Sequence, residues 1–208
     1  MTRGRVERFF RLLAERYGRP ARILLVGGGA SIVQAEPRFT EDLDFEVRTS
    51  ARAPVGTRDR KALESAIAAA NRATGVKAQY SDRVERWSMI PWPGYERHTR
   101  LWKRFGACTV HLLEPEYFAL SKLARGTATD QADIVTVLRR VRGSWRKLAT
   151  LCGRAHRAAP MSNSLHLFRL QVERFFTATA PKIWGRTYRP DAALSLFYRS
   201  CRRGHQPA

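Results

Sequence analysis

The sequence predicts an α/β fold followed by a helical, strongly basic C-terminal region. Three observations carry that reading. Short β-rich apolar runs stop at glycine or alternate with polar residues. Segments with helical spacing of apolar residues stand between them. Beyond Gly143 the helical patterns continue while the charge becomes almost purely positive.

Taken in order, residues 4–17 place Val6, Phe9, Phe10, Leu12 and Leu13 at helical spacing, and Gly18 and Pro20 end that helix. ARILLV (21–26) then reads as a buried strand stopping at Gly27. Gly27-Gly28-Gly29 reads as a turn, with a short helix in ASIVQA after it. Thr40 to Val47 alternates as a second strand. Residues 59–73 form an Ala-rich helix closed by Gly75, and VKAQY (76–80) is a strand. Residues 87–97 hold two prolines, a glycine and two tryptophans, which suggests a loop packed on the surface, and Trp87, Trp92 and Tyr95 either plug that loop or stack a base. CTVHLL (108–113) is the third clear strand. Pro115 starts a helix, PEYFALSKLA, because its missing N–H is not needed there. Asp130 starts another, through Arg142. SLHLFRLQVERFFTAT (164–179) is helical, and a last short helix runs from Asp191 to Arg202.

The chain has 208 residues, enough to bury a real core in one substantial domain or two small ones. No apolar run reaches the ~18 residues of a membrane span. The start lacks the long apolar stretch and cleavage site of a secretory signal. Cys108, Cys152 and Cys201 are odd in number and widely spaced, which argues against a disulfide framework and a zinc knuckle and fits a reducing cytoplasm.

Charge is the dominant compositional feature. There are 38 basic and 18 acidic residues, a net +20. Residues 134–208 carry 15 basic and two acidic residues (Glu173 and Asp191), a net +13. A charge this large implies a polyanionic partner, nucleic acid before an acidic protein.

The most informative stretch is 23–47, ILLVGGGASIVQAEPRFTEDLDFEV. Asp42 and Asp44 are two apart on a strand, so both face the same way, with Glu46 following. Leu43, Phe45 and Val47 face the other way, into a core. Two carboxylates that close repel unless a cation lies between them, and hard divalent ions such as Mg²⁺ or Mn²⁺ take such carboxylates together with phosphate oxygens. Two metals held this way activate an attacking hydroxyl and steady a leaving pyrophosphate. The glycines allow close backbone approach, and their N–H groups with the following helix N-terminus form an anion site. Arg38 and Thr40 add a charge and a hydroxyl for a triphosphate. The glycine run is neither a Walker A loop nor a Rossmann fingerprint, since no Gly-Lys-Ser/Thr follows and Ile32 stands where a third glycine belongs.

The pattern Val26-Gly27-Gly28, a spacer, then Asp42-Leu43-Asp44-Phe45 resembles the nucleotidyltransferase superfold shared with polymerase β. The longer form, Gly27-Gly28-Gly29-Ala30 followed by Arg38-Phe39-Thr40-Glu41-Asp42-Leu43-Asp44, resembles the minimal nucleotidyltransferases of bacterial toxin–antitoxin systems, the AbiEii and MenT type, and the DUF6036-like group. A second block, HLLEPEYFALSKLARGTATDQADI, is similar to the strand, Pro-Glu, lysine-bearing helix and D-x-x-D of these families. The resemblance spans about residues 5–141.

It implies a nucleotidyltransferase-like mixed sheet with flanking helices over 1–141 and a helical basic region over 142–208. It implies Gly27, Gly28, Gly29, Arg38 and Thr40 at the nucleotide phosphates, and Asp42 and Asp44 on a Mg²⁺ or Mn²⁺ ion. Lys122 is implied as a triphosphate contact and Asp133 as a further essential acid. In the residues' own terms, Lys122 is a point charge on a half-apolar helix, able to neutralise phosphate or to snorkel to solvent. Asp130 reads as a helix N-cap. Polymerase-like members use a third carboxylate from a later strand; Asp82 is the candidate, with Asp133 as the substitute. His111 reads as packing. The expected activity is transfer of a nucleoside monophosphate from an NTP to an acceptor hydroxyl. The acceptor is RNA, most sharply the tRNA 3′ end, and the protein is a cytoplasmic toxin with a neutralising antitoxin partner. The rivals are an enzyme that modifies a protein hydroxyl and a catalytically inactive RNA-binding or complex-forming module.

Overall fold

Phe9 and Phe10, adjacent on the first helix, decide which face of the sheet is covered. The computed structural model describes residues 1–35, Thr40, 42–48 and 57–202. It is α/β, with a five-stranded mixed sheet. The chain divides into two compact units, residues 1–84 with 99–113, and residues 85–98 with 114–208. The boundary expected at 141/142 therefore falls inside the second unit.

In the first unit α1 (Arg3–Tyr17) begins at Thr2, whose hydroxyl accepts from the Arg5 N–H, and ends at Gly18 in the left-handed region. β1 (Ala21–Leu25), α2 (Gly27–Gln34), β2 (Asp42–Arg48), α3 (Thr57–Thr74), β3 (Lys77–Ser81), β4 (Thr99–Phe105) and β5 (Cys108–Leu113) follow. The sheet order is β3-β2-β1-β5-β4. β1 runs antiparallel to β2 and parallel to β5, β3 runs parallel to β2, and β4 antiparallel to β5. Phe9 and Phe10 of α1 meet Phe45 of β2 at ring-centroid distances of 5.9 and 5.6 Å. Leu43, Phe45 and Val47 are fully buried on that face, each such side chain worth roughly 2–3 kcal/mol in burial. The other face of β2 carries Asp42, Asp44, Glu46 and Arg48.

Two local features differ from expectation. α2 starts at Gly27 itself rather than after a three-residue turn, because one left-handed glycine (φ 62°) suffices to redirect the chain. β4 is not among the strands read from the sequence: RLWKRF alternates poorly and carries charge, as suits a strand at the edge of the sheet among the described residues.

The second unit is helical: α4 (Pro115–Leu123), α5 (Ala128–Val141), α6 (Trp145–Ala158), α7 (Asn163–Arg174), a π turn at Phe175–Thr179, α8 (Ala180–Trp184) and α9 (Pro190–Cys201). Thr127, Ser144 and Ser162 cap α5, α6 and α7. Asp130 is not the N-cap of α5; it sits three residues inside, its carboxylate accepting from the Thr127 hydroxyl at 2.8 Å while Thr127 accepts from its N–H. Phe168, Phe175, Phe176 and Phe197 are fully buried. Gly153 lets α6 approach α9, since a Cβ there would meet the Phe197 carbonyl oxygen at 2.5 Å. Trp92 and Tyr95 are buried plugs, in edge contact at 5.8 Å, while Trp87 is half exposed. All three cysteines are free thiols. Among the described residues no helix is long and apolar enough to cross a membrane.

Candidate active site

β2 puts Asp42 and Asp44 on one face by simple alternation. Asp42 is exposed and Asp44 is half buried. The reason Asp44 is half buried is Gly27. β1 and β2 pair Leu25 with Phe45, and the Val26 N–H donates to the Asp44 carbonyl at 2.9 Å. The chain then turns at Gly27 directly beside the Asp44 side chain. A Cβ on Gly27 would lie 2.6 Å from Asp44 Oδ2, so only glycine leaves room for this carboxylate. Gly29 serves a different end: a Cβ there would meet Leu43 Cδ1 at 2.5 Å, so it seats α2 on the buried face of β2. Gly28 is buried in the first turn of α2.

The N-terminus of α2 thus lies beside Asp44. Val26 supplies no side-chain cap there, and no acidic residue occupies the first turn. The partial positive charge of a helix start is therefore set next to a carboxylate, the arrangement that a phosphate-bound cation exploits. Thr40 stands just before β2; its hydroxyl donates to the Asp42 carbonyl at 3.4 Å and its carbonyl accepts from the N-terminal ammonium at 3.3 Å. Arg38 lies outside the described residues.

The parallel register of β2 and β3 adds neighbours that local sequence reading did not single out. Lys77 stands beside Asp42, Gln79 beside Asp44 and Ser81 beside Glu46. A carboxylate is thus not what β3 sets beside Asp44. Asp82, the expected third acid, follows the end of β3, where its Oδ2 accepts from Arg60 at 2.8 Å. Glu46 is 3% exposed and occupied: it accepts from the Val84 N–H at 3.0 Å and pairs with Arg48. On the same face, Arg22 of β1 donates to the Thr99 hydroxyl and faces Arg48 across the ladder. His111 of β5 follows; burial and the charges of Arg22 and Arg104 hold its imidazole below the usual range. Among the described residues no group of three or more histidine, cysteine, aspartate or glutamate side chains forms a metal cage. The acid pair offers two hard oxygen donors, so an ion there would draw its other ligands from a substrate or water.

Lys122, Asp130 and Asp133 belong to the second unit. Lys122 Nζ lies 2.7 Å from Asp133 Oδ2 and 3.1 Å from Asp130 Oδ1, and the lysine is 1% exposed. It does not snorkel. Arg125 adds a second cation 2.7 Å from Asp130 Oδ1. Burial raises the Asp130 carboxyl, but the Arg125 hydrogen bond, the Lys122 charge and the Thr127 hydroxyl together outweigh it and hold the group below the usual range. This cluster ties α4 to α5.

No family model matches the chain, and no curated protein or solved structure matches it either.

Proposed function

We propose that the chain is a divalent-cation-dependent nucleotidyltransferase with a nucleotidyltransferase-like sheet. It would move a nucleoside monophosphate from an NTP to an acceptor hydroxyl and release pyrophosphate. One observation carries the reading: two aspartates share a face of β2, and the second lies against a left-handed glycine at the start of a helix.

Asp42 and Asp44 would hold Mg²⁺ or Mn²⁺, which neutralises phosphate charge and lowers the pKa of an attacking hydroxyl. The acceptor hydroxyl gives up its proton to solvent water as its oxygen forms a bond to the α-phosphorus, the bond from that phosphorus to the bridging oxygen breaks, and pyrophosphate leaves with that electron pair. The backbone of Gly27, Gly28 and Gly29, with Thr40 and Arg38, takes the phosphates. The family resemblance adds Lys122 and Asp133 to the catalytic set. Lys122 already binds two carboxylates, and its ammonium carries three N–H donors.

The net charge of +20 favours RNA as acceptor, with the tRNA 3′ end as the specific candidate. The accompanying reading is a cytoplasmic toxin held by an antitoxin protein. The test is incubation of purified protein with Mg²⁺, each labelled NTP, and tRNA or lysate. Label in tRNA, lost in Asp42→Ala, is the expected result. Label in protein would move the acceptor to a protein hydroxyl, and absence of turnover with every NTP and Mn²⁺ or Mg²⁺ would leave a non-catalytic RNA-binding module.

A further inference from the structure

The second unit contains a cleft of about 410 Å³ along α6 that shares no residue with the acid pair. This is the size of a small-molecule site. Its apolar wall comes from Tyr117, Leu151 and Leu196. The His98 ring lies flat on Tyr117, at 4.5 Å between centroids and 15° between planes. His98 is fixed there by Glu114, whose Oε2 is 3.1 Å from Nδ1. The side chain of His98 is 43% exposed, so this stack presents aromatic surface to the cleft.

The cations come from α6. Arg146 and Lys147 lie in its first turn, and Arg154 lies two turns on. Arg146, Thr150 and Arg154 follow at four-residue spacing, one stripe of the helix. Among the described residues none of the three cations makes an ion pair; Arg146 rests over the Trp145 ring at 4.2 Å. The cleft's acids are both engaged: Glu114 with His98, and Glu116 with the Ser144 N–H at 2.7 Å, which holds the start of α6. Arg146, Lys147 and Arg154 against Glu114 and Glu116 leave these five groups at +1.

We propose that this cleft binds one nucleotide through a single phosphate: the α6 cations and the Thr150 hydroxyl take the phosphate, and the His98–Tyr117 stack takes the base. Unpaired cations call for an anion, a flat aromatic wall calls for a planar ring, and a wall charge of +1 suits a phosphate monoester or diester rather than a triphosphate. The nucleotide is either free or part of a single-stranded RNA. The inference does not require nucleotidyl transfer.

The test measures binding of AMP, and of a short single-stranded oligoribonucleotide, to the full chain by calorimetry and fluorescence anisotropy. Three variants are compared: Lys147→Gln/Arg154→Gln, His98→Ala, and Arg174→Gln/Arg186→Gln as an equal loss of charge outside the cleft. The two cleft variants are expected to weaken binding about tenfold or more, and the outside pair much less. AMP binding so weakened identifies a free nucleotide; an effect on the oligonucleotide alone identifies a strand-borne one. Equal loss in the outside pair, or no binding of either probe, overturns the proposal.

Discussion

Gly27 and Asp44 touch: the Asp44 carboxylate occupies the space in which any side chain at position 27 would begin. Gly27→Ala therefore meets two penalties, a left-handed φ of 62° and an overlap with Oδ2. The first costs about 1–2 kcal/mol and the second about 1–3 kcal/mol unless Asp44 swings away. Gly18 has a similar φ of 64° but open space around it. Urea unfolding should show Gly27→Ala losing clearly more stability than Gly18→Ala. Equal losses would mean that Asp44 yields without cost and is not held by the turn.

Lys122→Met leaves Asp130 and Asp133 buried without their shared cation. Breaking a buried pair in this way costs about 3–5 kcal/mol. The expected result is a much lower urea midpoint with an unchanged slope. A loss under about 1 kcal/mol would place the cluster in water rather than in the core.

The depressed Asp130 carboxyl makes stability pH-dependent. Its folded pKa lies below the ordinary 3.8, so the folded state binds this proton less readily than the unfolded chain. The stabilisation is therefore complete above pH 3.8 and is lost as pH falls through the folded value. Arg125→Gln removes the leading favourable contact, so acid unfolding followed by circular dichroism should begin at a higher pH. An unshifted acid limb would remove Arg125 from this role.

RNA affinity, if phosphate contacts dominate it, should fall about tenfold or more between 50 and 200 mM salt. A filter-binding titration reads the slope directly. A flat response would mean that the net charge of +20 is not used for nucleic acid.

Helix and strand identity followed from local pattern wherever burial was one-sided. The Phe9–Phe10 face of α1, the alternation in β2 and the proline start of α4 all show it. β4 escaped because an edge strand needs no continuous apolar face. α6 is not among the helices read from the sequence, although Trp145, Leu148, Leu151 and Cys152 give it an apolar stripe. Local pattern starts α5 at Asp130, one turn later than its true cap Thr127, because aspartate is the stronger capping residue of the two.

For the candidate site, period-two alternation alone put Asp42 and Asp44 on the same side, since that geometry is local to seven residues. Which groups flank them could not be read that way. Lys77 beside Asp42 and Gln79 beside Asp44 depend on strand register, a pairing across 35 residues of chain. The same holds for Lys122: its charge was visible, but its enclosure by Asp130 and Asp133 comes from the packing of α4 against α5. Backbone periodicity is written into neighbouring residues, whereas lateral neighbours and burial arise only when distant segments meet.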